Sequence, residues 1–345
     1  MPFCMMRHRT EMLLLRSFLA ALILFLLVCG LAMAQDAPQP QPAPKLPAPL
    51  NHASPPATTP PPASTPANPA TPAAPAKQVV PEEAQRHFHE GTVFERDGNG
   101  ENAIAEYKEA IKLYPDYFEA HYNLGRVYLD RQGYAEAIAE FKTAIALRPG
   151  DANAHNNLGL AYKHNRNLNG AIAEYQEAVR LNPKMASAQN NLANVLYTKR
   201  DFNGAIQHYR AALELEPAKE KMSEQDRYNL ASTHMNLGSV LDDAGRPDEA
   251  IAEYKEAIHL LPKNGSAHYN LSIVYQKKKD MPSAIAELRT AARLSPDWPT
   301  PHIMLTNLLK DSDPKAALDE CVIADGLTHD AKLHDECSEL QRKAR

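Results

Sequence analysis

Three residue types recur in this sequence at spacings that could support chemistry. Histidine returns at His87, His121, His155, His234, His268 and His302, asparagine at Asn123, Asn157, Asn191, Asn236 and Asn270, and cysteine stands at Cys4, Cys29, Cys321 and Cys337. Histidines in series suggest a metal centre. These, however, fall one repeat apart, about 10 Å if successive helix pairs stack, whereas zinc needs its ligands within about 2.1 Å. The stretch His87-Phe-His89-Glu90 also fails as a zinc helix, because its histidines are two residues apart rather than four. The expectation is a half-buried ring at each histidine position, with no metal and no cofactor. No Gly-rich phosphate loop, nucleophile elbow or pair of catalytic carboxylates occurs, which argues against an enzyme.

The asparagines suit a different task. Each stands one residue before a leucine and two before a small residue, so on a helix it points around the axis from the apolar stripe. A column of primary amides can donate to and accept from the backbone of an extended peptide without reading its sequence. Flanking positions on the same helices would tune that surface. One turn face offers Tyr122, Asn156, Asn190, Met235 and Tyr269, and the other offers Arg126, Leu160, Asn194, Ser239 and Ile273. The candidate groove is therefore Asn123, Asn157, Asn191, Asn236 and Asn270 with Tyr122, Arg126, Asn156, Asn190, Asn194 and Tyr269, richer in amides and aromatics than in charge.

The elements that must position these residues follow from a period. Prolines fall at Pro115, Pro149, Pro183 and Pro217, each 34 residues after the last; Pro262 comes 45 later and Pro296 another 34. In the register they set, Leu124, Leu158, Leu192, Leu237, Leu271 and Leu305 coincide, followed by Gly125, Gly159, Ala193, Gly238 and Ser272. Ala103, Ala137, Ala171, Ala205, Ala250 and Ala284 also coincide, as do Tyr107, Phe141, Tyr175, Tyr209, Tyr254 and Leu288. Small residues allow two helix axes to approach to about 8–10 Å. Large rings fill the wedge between hairpins, and proline ends the second helix of each pair.

A 34-residue helix–turn–helix period with these residues resembles the tetratricopeptide repeat family. The second helix recurs almost unchanged as Ile104-Ala-Glu-Tyr, Ile138-Ala-Glu-Phe, Ile172-Ala-Glu-Tyr and Ile251-Ala-Glu-Tyr. The resemblance implies an all-α, right-handed superhelical solenoid of about seven hairpins, near 84–117, 118–151, 152–185, 186–219, 231–264, 265–298 and 299–327. It also implies that the first helices line a concave face for peptides or partner proteins. The asparagine column, with Asn156-Asn157-Leu158-Gly159, is similar to the asparagine ladder in the superhelical repeats of O-linked N-acetylglucosamine transferases, without a glycosyltransferase region. The Lys and Arg positions by which some family members clamp a C-terminal carboxylate hold Gln85, Glu119, Asn153, Ser187, Ser232 and Ser266 here.

Flanking composition sets the remaining expectations. Residues 1–34 read as a signal peptide or signal anchor: Arg7, Arg9 and Arg16, then the apolar run from Phe18 to Val28, then Ala32-Met33-Ala34 as a cleavage site. Residues 35–80, dense in Pro and Ala, read as a disordered linker. The repeats occupy 81–328 and a capping helix 329–345. Formal charge is -5 with no basic run, so nucleic acid is not expected as a partner, and membrane contact is expected only through a retained leader. An insertion near Ala218–Tyr228 should extend the first helix of the fifth hairpin backwards, with Ser223 and Asp226 at its start. Cys321 and Cys337 stand symmetrically about His329, so an antiparallel turn there would place them opposite one another as a disulfide, the mark of an oxidising compartment. The functional expectation is an exported, non-catalytic interaction scaffold of the periplasm or cell exterior. An assembly factor for an envelope machine (pilus or secretion type), an accessory subunit of an envelope-polymer enzyme, and self-association stand as alternatives.

Overall fold

The computed structural model describes residues 79–215 and 222–343. The expected leader, nearly all of the proline-rich linker, and the start of the insertion with Pro217 lie outside the described residues. Among those described, the chain forms helices and no strand: α1 (Glu82–Arg96), α2 (Gly100–Leu113), α3 (Phe118–Asp130), α4 (Tyr134–Leu147), α5 (Ala152–His164), α6 (Leu168–Leu181), α7 (Ala186–Thr198) and α8 (Phe202–Leu213). After the insertion come α9 (Glu224–Asp243), α10 (Pro247–Leu260), α11 (Gly265–Lys277), α12 (Met281–Leu294), α13 (Pro299–Leu309), α14 (Pro314–Thr328) and α15 (Ala331–Lys343). Each odd helix up to α13 pairs with the even helix after it, and each even helix packs on the next odd one, giving an all-α superhelical solenoid.

Local chemistry explains where the helices begin and turn. Side chains of Asn99, Asp151, Asn167, Asp201, Asn264, Asp280 and Asp313 each accept from a backbone N–H in the first turn of the helix they precede. The turn inside each of the first six hairpins carries one left-handed residue. Gly98 and Gly245 fill that place at φ 75°, and Gln132, Arg166, Arg200 and Lys279 accept φ of 61–64°.

In the first five hairpins the contact that closes the pair is a small residue against a ring. A Cβ added at Gly159 would lie 2.7 Å from the Tyr175 ring, one at Gly91 2.7 Å from Tyr107, and one at Gly125 2.9 Å from Phe141. Tyr107, Phe141, Tyr175 and Tyr209 are consequently fully buried. Where Ser272 replaces the glycine, the facing ring is replaced by Leu288, also fully buried.

The insertion resolves as a longer helix. α9 has 20 residues where α3, α5 and α7 have 13, an addition of about two turns. It starts from a reciprocal capping box between Ser223 and Asp226. The face is kept: Gly238 still meets the Tyr254 ring. At the other end α15 covers the last hairpin with Leu333, Cys337 and Leu340. Cys321 and Cys337 are joined as a disulfide with Cα atoms 5.6 Å apart.

Two predictions follow from this packing. The Tyr175 hydroxyl is buried without a hydrogen-bond partner, whereas the Tyr209 hydroxyl donates to Asn194 Oδ1 at 2.6 Å. Tyr175→Phe should therefore stabilise the protein by about 1 kcal/mol, while Tyr209→Phe should cost about 0.5–1.5 kcal/mol, read from urea midpoints. The disulfide spans 16 residues, so reduction should destabilise the C-terminal hairpin by about 3 kcal/mol. Limited trypsin digestion of reduced and oxidised protein should show α15 cleaved first, and only after reduction.

Candidate functional site

The five expected asparagines lie on the first helices, and the amides of four of them are already held by polar groups of the preceding hairpin. Asn157 Nδ2 donates to the Tyr122 hydroxyl of the preceding hairpin at 2.9 Å, Asn191 Nδ2 to Asn156 Oδ1 at 3.0 Å, and Asn236 Nδ2 to Asn194 Oδ1 at 3.5 Å. Asn123 Nδ2 reaches the Tyr107 hydroxyl at 3.4 Å. These contacts run sideways from hairpin to hairpin and form a polar strip over α3, α5, α7 and α9. Each uses one of two amide hydrogens. The carbonyl oxygens of Asn123, Asn157, Asn191 and Asn236 accept no hydrogen bond from a described residue, and Asn236 is exposed.

Other expected residues divide between surface and packing. Arg126 pairs with Glu95 at 3.0 Å, and Glu95 also accepts from the Tyr107 hydroxyl at 2.8 Å. Tyr122 stacks on Phe118 at 5.9 Å. Asn190 donates to Thr233 Oγ1 at 3.0 Å, and its Oδ1 is buried and unpartnered, so it serves the join between the fourth and fifth hairpins. Tyr269 is likewise committed, its ring 4.7 Å from Trp298. Asn270 lines a small cavity with Tyr197, Ser239, Asp242, Asp243 and Tyr254. Tyr197 donates to Asp243 at 2.8 Å, and burial together with that carboxylate pushes its phenol up to about 12, so it stays a donor. The strip thus passes from neutral amides at α5 and α7 to an acidic patch at α9.

The histidines have partners that spacing alone did not reveal. In six hairpins Nδ1 meets a glutamate on the second helix: His87 with Glu106, His121 with Glu140, His155 with Glu174, His234 with Glu253, His268 with Glu287 and His302 with Glu320, all at 2.6–2.7 Å. The remaining hairpin inverts the pair, with His208 on the second helix meeting Gln189 Oε1 at 2.7 Å. The glutamate of each Ile-Ala-Glu segment was the signal, readable only once the two helices are known to cross there. His87, Glu90 and Glu106 also come within 4.8 Å of one another, an arrangement open to a cation. Arg86 already fills that role, reaching Glu90 at 2.8 Å and His87 Nε2 at 3.0 Å.

A model of the tetratricopeptide repeat matches residues 88–152, 122–186 and 235–299, and a second model of the same repeat matches 184–263. The chain belongs to the tetratricopeptide repeat family, whose repeats generally mediate protein or peptide binding. No curated protein matches it. A tetratricopeptide repeat protein from Parabacteroides merdae aligns over 75% of this chain and 99% of its own at 15% identity, TM-score 0.54. PilF of Pseudomonas aeruginosa aligns over 64% of this chain and 96% of its own at 19% identity, TM-score 0.51. In the Cut9–Hcn1 assembly of the APC/C, 66% of this chain aligns with 43% of that one at 22% identity, TM-score 0.52. At such identities the likeness is one of fold.

The His121–Glu140 pair makes stability depend on pH. Both ring nitrogens of His121 face acceptors, Glu140 Oε2 at 2.6 Å and the Pro115 carbonyl at 2.9 Å, which only the imidazolium can satisfy. Burial opposes the charge, but these acceptors outweigh it and raise the His121 pKa above its ordinary value. A raised folded-state pKa contributes stability below the unfolded value of about 6.5 and loses it as pH rises through the folded value. His121→Gln should therefore cost more at about pH 6 than at about pH 8, as urea midpoints of parent and variant at both pH values will show.

Proposed function

We propose that the protein is a non-catalytic scaffold of the cell envelope that holds an extended peptide segment of a partner protein along the concave face of its first helices. The observation that carries this reading is the amide strip. Asn157 and Asn191 are oriented by acceptors of the neighbouring hairpin, yet each keeps a free carbonyl oxygen and a second N–H. Preorganised amides give up little conformational entropy when they meet a peptide backbone. An exported setting is supported by the charged, apolar and small-residue pattern of residues 1–34 and by the Cys321–Cys337 bond, which persists in oxidising compartments.

The test is a crosslinking capture from envelope extract with the full chain, beside a variant carrying Asn123→Ala, Asn157→Ala, Asn191→Ala and Asn236→Ala. Loss of four backbone hydrogen bonds at about 0.5–1.5 kcal/mol each should weaken the captured partner by more than tenfold, with the variant's helix content unchanged by circular dichroism. Equal capture by a folded variant overturns the reading.

A further inference from the structure

The fifth hairpin departs from the others at one place on the first-helix side. Because α9 begins about two turns early, its first turns stand beyond the hairpin and face the turn between α10 and α11. Between them lies a cavity of 780 Å³ walled by Tyr228, Met235, Leu261 and Pro262, with Arg227 and Lys263 also lining it. Two features mark it as unfilled. Tyr228 is 57% exposed, although large rings elsewhere in the solenoid are mostly packed. Neither Arg227 nor Lys263 makes an ion pair with a described residue, and both are exposed beside the apolar wall. Asp226, beside them, is engaged with Ser223 in the helix cap.

Two unpaired cations beside an apolar wall, in a chain of formal charge -5, define a specific complement. We propose that this notch receives a bulky apolar side chain of the partner segment, with an Asp or Glu next to it in the partner's sequence held by Arg227 and Lys263. The proposal rests on the groove reading above, since Asn236 belongs both to the amide strip and to the lining of the notch. The amides hold backbone without regard to sequence, and the notch supplies the selection they lack. An apolar anchor in a pocket with a charge beside it is the arrangement that concentrates binding energy in a few residues. The paired charges set partner choice more than total affinity.

The test uses the full chain and four end-blocked, fluorescein-labelled peptides that share a Gly-Ser frame and differ at the centre: Glu-Phe-Glu, Gln-Phe-Gln, Lys-Phe-Lys and Glu-Ala-Glu. Fluorescence anisotropy should show Glu-Phe-Glu bound at least about tenfold more tightly than each of the others, the gap to Gln-Phe-Gln shrinking as salt rises. The double variant Arg227→Glu, Lys263→Glu changes two exposed side chains and should transfer the preference to Lys-Phe-Lys. Tyr228→Ala should weaken Glu-Phe-Glu and leave Glu-Ala-Glu unchanged. Equal binding of all four peptides, no binding of Glu-Phe-Glu, or a preference that survives charge reversal would overturn the notch. Each of these would leave the groove reading standing if the asparagine variant still loses its partner in the capture experiment.

Discussion

The solenoid depends on one steric relation, a residue with little or no side chain on the first helix set against a ring on the second. Gly91, Gly125 and Gly159 leave Cβ-sized gaps that Tyr107, Phe141 and Tyr175 enter, with nothing left over for a methyl group. Because that approach fixes the helix separation in the first five hairpins, it also fixes where their other side chains fall. The substitution of Ser272 together with Leu288 shows the relation at work: where the first helix carries more volume, the second carries less.

Repetition of that unit turns single contacts into lines. The histidine–glutamate pairs form one line, clasping first helix to second in six hairpins and appearing as His208 with Gln189 in the other. Inversion of the pair keeps one nitrogen donor against one oxygen acceptor, so the clasp survives the exchange of its two residues. The asparagines form a second line, tied across hairpins through Tyr122, Asn156 and Asn194. A clasp holds two helices of one repeat, whereas the amide strip crosses repeat boundaries. Only the second runs continuously from one hairpin to the next.

Functional detail enters where the repetition is broken. Glu90 stands where later repeats place a core leucine, and it is held by Arg86 in the first of the described hairpins. At the other end, Cys337 and Leu340 of α15 cover apolar surface that an eighth repeat would otherwise bury. Inside the stack, the early start of α9 opens a notch beside the amide strip. The acidic pair Asp242 and Asp243 lies further along the same helix, with Lys277 held by Asp242 at 2.7 Å. α9 therefore carries Arg227 near its start, Asn236 in its middle and the acidic pair at its end.

The hairpins, their small-residue and ring positions, the backward extension from Ser223 and the approach of Cys321 to Cys337 were all readable from spacing. They arise from helical periodicity, local capping and the volume of individual side chains, which are properties of neighbours in sequence. The glutamate partners of the histidines were not readable, since the pairs lie 18 or 19 residues apart and meet only because two helices cross at a set angle. The same holds for Asn190 and Tyr269. Spacing puts both on the first-helix face, yet Thr233 and Trp298 from the following hairpins draw them into the joins between repeats. The notch with Arg227 and Lys263 likewise required three dimensions, because its walls come from a helix start and a turn about 35 residues apart. Sequence by itself determined what each repeat is; the stacking angle between repeats decided which of its polar groups remain available to a partner.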